Sequence, residues 1–338
     1  MKIVYNTSEE YVPYTSVSIV SFLKNNSDLD ELEYYVIDTG MTEISKENIN
    51  RIFEKYSKKC EILNSGEICD RLMNKYDLKL VEHNGSHNIW LKAFPDVLFP
   101  NYNGLILYLD SDTVINGSVK ELLHLDWEDR PIAGVNGPKI NIKEGFINNK
   151  SPMYNEEKKI IFDRGNAYLN SGFIIYNMKN FYMQNIPKKA KQVIESLNTY
   201  IFKDQTVINA LYHRENVVEL DLKYNSYFHT FPKFSKRTSI AIQMEDTNVK
   251  EAINNPIVIH YVGQHSRPWF YNSTSNAVEL YDKYVKLLPF EIPKKSSFFK
   301  SQFYIQQNGI QKIKFLILVK LYNTKFFAYV FDKRMKYR

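Results

Sequence analysis

Five apolar residues, Leu105-Ile-Leu-Tyr-Leu109, run straight into Asp110-Ser111-Asp112. A run that short and that apolar is a buried strand. In an open α/β sheet, ligands bind in the crevice outside the carboxyl ends of the strands. Two carboxylates one residue apart at such an end repel each other unless a cation sits between them. A divalent metal that also grips something anionic, such as a diphosphate, answers both demands. A solvated turn after a strand has the same local sequence, so the rest of the chain has to decide.

The segments upstream alternate. Residues 2–5 read as a strand, and residues 14–24 as a helix with Val17, Val20 and Leu23 on one face. Residues 32–37 form a second strand ending at Asp38 and Gly40. Residues 43–56 form a helix with Ile49, Ile52, Phe53 and Tyr56 at helical spacing, and residues 61–63 a third strand. This βαβαβ order implies a parallel sheet. Neither a G-x-G-x-x-G fingerprint nor a Walker A loop is present, so no standard dinucleotide or P-loop site is expected.

Downstream, residues 65–104 read as helix broken by Pro95 and Pro100. Residues 136–166, rich in Asn, Gly and Lys, predict a long surface loop over the site. Residues 168–176 form a strand carrying the polar step Asn170-Ser171-Gly172. Residues 187–200 and 204–213 read as helices, and residues 257–262 as another buried strand, ending in Gly263. There is no internal repeat.

The 338 residues suit one large domain, or one domain plus an extension. Cys60 and Cys69 are too few and too far apart for a zinc knuckle or a disulfide framework, which points to a reduced, cytoplasmic setting. The N-terminus reads as a strand and lacks the apolar stretch of a signal peptide, and no run of apolar residues is long enough to span a membrane. Tyr and Phe are abundant, which fits sugar-handling or membrane-facing proteins and equally an AT-rich genome.

Charge is unevenly placed. Residues 289–338 carry eleven Lys and Arg against Glu291 and Asp332, a net of +9, which leaves −3 for residues 1–288 out of the overall +6. Positive charge confined to a tail argues against a nucleic-acid-binding body and for a tail that meets an anionic surface. The tail has no apolar run longer than Phe315-Leu-Ile-Leu-Val319, ringed by Lys312, Lys314, Lys320 and Lys325 and followed by Phe326-Phe327. Such segments suit a membrane interface. A helical add-on packed on the body with its lysines in water is the competing expectation. The division expected is residues 1–288 as a catalytic domain and residues 289–338 as a basic, aromatic, helical extension.

Taken alone, the stretch through Asp112-Thr113-Val114 resembles two families. In haloacid-dehalogenase-type phosphatases, an apolar strand is followed by D-x-D-x-T, the first Asp attacking phosphorus. In metal-dependent nucleotide-sugar glycosyltransferases, a D-x-D holds a metal on the sugar nucleotide. The phosphatase motif usually opens its core, whereas here three strands precede it, and the later Asp-Asp pair it needs for Mg²⁺ is missing.

Further segments side with the transferases. Leu169-Asn170-Ser171-Gly172 is followed by Asn177 and Lys179. Asp204-Gln205 opens a helix containing Asn209. His260-Tyr261-Val262-Gly263 precedes Arg267-Pro268-Trp269. Together with the Asp110 motif, in this order, they resemble glycosyltransferase family 8 over residues 1–270. This is the retaining family that includes glycogenin and bacterial lipo-oligosaccharide galactosyltransferases.

The resemblance implies an α/β, GT-A-type (Rossmann-like) nucleotide-sugar-binding domain with a helical C-terminal extension. It implies retaining transfer of a hexose from a UDP-sugar to a hydroxyl of a bacterial surface glycan, glycolipid or glycoprotein, galactose favoured and glucose next. It places Mn²⁺ or Mg²⁺ on Asp110, Asp112 and His260; two carboxylates and an imidazole suit such ions better than a closed zinc site. His260 at the end of a buried strand would otherwise read as a structural histidine. Asn170, Ser171 and Asp204 match positions that hold sugar hydroxyls, and Gln205 the glutamine on the β face of the anomeric carbon. Gly263 lets the backbone approach the phosphates, and Arg267 matches a basic position before Pro-Trp, one residue further from the glycine than usual. Ser111 lies inside the D-x-D.

The departures are local. Asn6, Thr7, Ser8 and Tyr11 match the segment that meets uracil and ribose, with Ser8 where an Asp is usual. The family's Arg upstream of D-x-D is missing, and Lys92 is the nearest basic residue. Asn136 stands where relatives often have Asp. The remaining non-transferase expectation is a nucleotide-sugar-binding protein without catalysis. Expected partners are the UDP-sugar, the acceptor glycan and, through the tail, an anionic membrane on its cytoplasmic face.

Overall fold

Side chains along Leu105–Leu109 alternate between two apolar layers, Leu107 and Leu109 facing one and Ile106 and Tyr108 the other. The strand is therefore central to a sheet covered on both faces, as its unbroken apolar sequence requires. The computed structural model describes residues 1–77, 88–136, 159–160, 168–197, 203–227, 247–262, 267–270, 273 and 275–292.

In chain order the elements are β1 (Lys2–Thr7), α1 (Val12–Asn26), β2 (Glu33–Asp38), α2 (Glu43–Lys55), β3 (Cys60–Asn64) and α3 (Ser65–Tyr76). A 3-10 stretch (Asn88–Ala93) and α4 (Pro95–Leu98) lead to β4 (Leu105–Leu109), β5 (Thr113–Ile115) and β6 (Ile132–Asn136). Then come β7 (Leu169–Asn177), α5 (Met178–Met183), α6 (Ile186–Ser196), α7 (Asp204–Leu211), β8 (Val217–Glu219) and a 3-10 turn (Leu222–Asn225). Last are α8 (Thr247–Asn254), β9 (Val258–His260) and α9 (Val278–Val285).

Seven strands form one sheet in the order β3-β2-β1-β4-β7-β6-β8, and β5 pairs with β9 separately. The parallel expectation holds for β3, β2, β1 and β4; β7 then runs antiparallel to both β4 and β6. One face packs on α1, α2, α9 and the β5–β9 pair, and the other on α3, α4 to α7. The result is a mixed α/β fold of the GT-A type.

Several boundaries differ from the sequence expectation: α3 ends at Tyr76, α6 at Ser196 and β9 at His260, each short of the expected span. Pro95 starts a helical turn instead of breaking one, since its missing N–H is not needed in the first turn. Asn136 is the buried last residue of β6, paired with Leu169, not the start of a surface loop. Residues 137–158 and 161–167, Gly263, and the tail beyond Ile292 lie outside the described residues, so the loop and extension expectations fall there. Among the described residues no helix is long and apolar enough to cross a membrane.

Candidate metal centre and its cleft

β1 and β4 end side by side, with Tyr5 opposite Leu109. Ser111 ties the two ends by donating its hydroxyl to the Asn6 carbonyl at 2.9 Å. Thr113 donates to the Asp110 carbonyl at 2.8 Å, closing the turn that carries both aspartates. β5 then pairs antiparallel with β9, so that Thr113 stands opposite His260, and the Tyr261 N–H donates to the Asp112 carbonyl at 2.9 Å. A residue 148 positions downstream of Asp112 is thereby placed beside it by main-chain register.

Asp110, Asp112 and His260 each offer one ligand atom, all within 4.8 Å of one another. His260 Nε2 lies 3.2 Å from Asp112 Oδ1 and 3.7 Å from Asp110 Oδ2. The second oxygen of each carboxylate faces a cation. Asp110 Oδ1 accepts from Lys92 Nζ, and Asp112 Oδ2 faces the Arg267 guanidinium at 4.0 Å. Each carboxylate is thus held on one side and presents the other oxygen to the histidine. Two partly exposed carboxylates and a buried imidazole leave positions for outside oxygens and fit a hard divalent ion such as Mn²⁺ or Mg²⁺.

Lys92 also lies 3.4 Å from Asp204 Oδ2, at the start of α7. Burial works against its charge, but Asp110 and Asp204 together hold its pKa above the ordinary lysine value. The Asp204 carboxyl is pushed up by burial, which the Lys92 charge offsets only in part, and Asp110 adds a smaller repulsion. Asp112 goes the other way: burial would raise it, and His260 and Arg267 outweigh that. Gln205, next in α7, accepts the Ser171 N–H on its Oε1 at 3.0 Å. Lys203, just before α7, takes φ 55° and ψ −119°, a strained conformation for a side chain with Cβ.

Arg267 lies over the rings of Tyr11 (5.6 Å) and Trp269 (5.5 Å). Trp269 in turn stacks on Tyr14 with centroids 3.8 Å apart, which anchors this segment in the core.

The structure therefore gathers Lys92, Asp110, Asp112, Asp204, His260 and Arg267 in one charged cluster, with Asn170, Ser171, Gln205 and Tyr11 on its border. Ser8 stands at the end of β1 and accepts the Tyr11 and Val12 N–H groups on its carbonyl. Thr7 is a correction: it is 2% exposed, and its hydroxyl accepts from Thr15 and donates to the Ser8 carbonyl. The strand pleat turns its side chain inward, so its hydroxyl is already committed. Asn170 needs a narrower role than the sequence implied. Its Oδ1 is taken by the Gly172 N–H (2.9 Å) and faces His260 Nδ1 (3.1 Å), so Nδ2 is the end left for a ligand.

Sequence reasoning missed Asn225, fully buried, whose Oδ1 lies 3.1 Å from His260 Nδ1. It also missed the closeness of Gly172 to the same ring. Nothing local in Tyr224-Asn225-Ser226 signals the first.

A family model described as "Glycosyl transferase family 8" matches residues 2–273. A Haemophilus influenzae protein is 26% identical over 215 residues, 62% of this chain and 59% of that one. The lipopolysaccharide glucosyltransferase WaaO of Escherichia coli is 24% identical over 275 residues, 80% of this chain and 72% of that one. Among solved structures, the bifunctional glycosyltransferase WbbM superposes with TM-score 0.69 at 19% identity, over 91% of this chain and 51% of that one. The galactosyltransferase LgtC, solved with donor and acceptor sugar analogues, gives TM-score 0.60 at 19% identity, over 87% and 98%. The chain thus spans little more than half the length of the Haemophilus protein and of WbbM.

Proposed function

The chain belongs to glycosyltransferase family 8, and from that membership we propose that it moves a hexose from a UDP-sugar to a hydroxyl of a bacterial surface glycan, glycolipid or glycoprotein, retaining the anomeric configuration. Galactose is favoured and glucose next, in keeping with LgtC and WaaO. The observation that carries the reading is the Asp110–Asp112–His260 cluster, whose ligand atoms lie within 4.8 Å of one another, with Lys92 linking it to Asp204. Family membership sets the phosphatase alternative aside.

In this reading Asp110, Asp112 and His260 hold Mn²⁺ or Mg²⁺, which would offset charge on the diphosphate as the sugar leaves. Arg267 supplies a fixed positive charge on the same side. Asn6, Ser8 and Tyr11 are assigned to the nucleoside end, and Gly263 is assigned to the phosphates from its sequence match alone. Asn170 Nδ2, Ser171 and Asp204 bind sugar hydroxyls, with Asn136 behind them. Gln205 stabilises oxocarbenium character at the anomeric carbon. An amide is a poor nucleophile, and one whose oxygen already accepts a backbone N–H is poorer still. The acceptor hydroxyl then attacks from the front face and passes its proton to the leaving diphosphate.

The domain division is proposed at residue 288. Lys55 and Arg51 of α2 bond to the Leu287 and Pro289 carbonyls, so the body holds the main chain through Pro289, and Phe290 and Ile292 still pack on its core. The tail beyond it is proposed to place the enzyme peripherally on the cytoplasmic face of the membrane.

UDP release from a panel of UDP-sugars tests the reaction. Asp112→Ala or EDTA should lower turnover on the order of a hundredfold or more. Full activity in EDTA would refute the metal assignment, and UDP-sugar binding without any turnover would leave a binding protein.

A further inference from the structure

The hydrogen bonds on the far side of the His260 ring are directional, and one backbone group orders them all. The Gly172 N–H donates to Asn170 Oδ1 at 2.9 Å, which makes that atom the oxygen of its carboxamide. Asn225 Nδ2 donates to the same Oδ1 at 2.9 Å and approaches the Asn170 carbonyl at 3.5 Å, so the amino end of Asn225 faces Asn170. The oxygen of Asn225 is then left for the histidine. Two carboxamide oxygens, Asn170 Oδ1 and Asn225 Oδ1, each lie 3.1 Å from His260 Nδ1. Neither oxygen can donate, so Nδ1 carries the hydrogen.

We infer that Asn225 is a positioning residue for the metal centre, fixing His260 in the Nδ1–H form so that the Nε2 lone pair is delivered between Asp110 and Asp112. The inference rests on the metal reading above and deepens it. A histidine ligand is oriented by what its other nitrogen bonds to. Here that partner is neutral and fully buried, at the end of the 3-10 turn Leu222–Asn225.

The main chain holds the pair rigidly. The Ser226 N–H donates to the Val258 carbonyl at 2.8 Å, and the His260 N–H donates to the Ser226 carbonyl at 3.0 Å. Asn225 cannot drift from the ring without breaking this bracket. Asn170 shares the acceptor role, but it also borders the sugar site. Asn225 lacks exposure to any substrate, so its effect must pass through His260.

The test is Mn²⁺ affinity measured by electron paramagnetic resonance on the full-length protein, without donor. Asn225→Leu keeps the volume and removes the acceptor, and should weaken Mn²⁺ binding about 10- to 100-fold. Asn225→Asp restores an oxygen at Nδ1, losing the bond to Asn170, and should stay within about threefold of wild type, as carboxylate–histidine–metal arrangements do elsewhere. In a His260→Ala background, Asn225→Leu should cause no further loss, because the residue acts only through the ring. If the leucine variant fails to fold, Asn225→Ser, too short to reach Nδ1, carries the same expectation.

Wild-type affinity in the leucine or serine variant would overturn the inference. So would an equal loss in the His260→Ala background, which would mark a merely structural residue. Wild-type Mn²⁺ affinity in His260→Ala alone would instead overturn the metal reading, and this inference with it.

Discussion

Gly172 lies directly against the imidazole of His260: a Cβ at Gly172 would stand 2.1 Å from Cε1 and 2.4 Å from Nδ1. Strand β7 cannot retreat to make room, because the Gly172 carbonyl accepts the Asp110 N–H at 3.0 Å. The ring has to move instead. Gly172→Ala is therefore expected to weaken Mn²⁺ binding at least about tenfold, with an overpacking cost of about 1–3 kcal/mol. Paramagnetic resonance titration and a thermal melt check the two effects, and unchanged Mn²⁺ affinity would mean the ring is not a ligand.

Lys92 bridges Asp110 and Asp204 in a buried setting. Lys92→Met leaves two carboxylates without their cation, and breaking a buried pair costs about 3–5 kcal/mol. A divalent ion supplies part of the missing charge. Mn²⁺ should then raise the melting temperature of the variant by more than it raises wild type. Equal shifts would show that Lys92 and the metal do not share a charge balance.

Gln205 is expected to stabilise and not to attack. Gln205→Ala should keep measurable residual turnover and wild-type UDP affinity. Intact-mass spectra of wild type with donor should show no glycosyl adduct. An adduct on Gln205 would restore the double-displacement route, and wild-type turnover in the variant would remove the residue from the site.

Glu9 links the β1–α1 turn to α2, accepting the Thr42 N–H at 2.8 Å and the Ser45 hydroxyl at 2.9 Å. Those bonds, the Thr42 amide above all, hold its carboxyl below the usual value. A depressed pKa contributes stability that is complete above the unfolded value of about 4.3 and is lost as pH falls through the folded one. Glu9→Gln should therefore melt below wild type at pH 7, and the gap should close as pH falls below about 4. A constant gap across that range would locate its effect elsewhere.

For the tail, each Lys or Arg near an anionic leaflet is worth about 1 kcal/mol, falling off within a Debye length. A protein ending near Pro289 should lose binding to anionic liposomes and still release UDP, since every proposed site residue lies upstream. Binding by the full chain should weaken steeply with salt. Equal binding to neutral and anionic liposomes would defeat the electrostatic role, and aggregation of the shortened protein would make the tail part of the core.

Local pattern carried most of the framework. Apolar alternation and helical spacing located β1 to β4, α1 and α2 within a residue or two, and the start but not the end of α3, because a strand or helix that must bury one face writes its period into the chain. The same applies to Asp110 and Asp112, whose place at the end of a buried strand is a short-range property. Which way β7 runs, and that a short β5–β9 pair stands apart from the main sheet, depended on the energy of packing layers and left no local mark. The same holds for contacts such as Lys92 with Asp204, Gly172 with His260, and Asn225 with the far side of that ring. The register of β5 on β9 sets His260 beside Asp112, and the convergence of three strand ends brings in the rest. Side chains distant in sequence meet only when the backbone has closed around them, so the proposed ligands could be named from the sequence while the residues that hold and orient them emerged only from the fold.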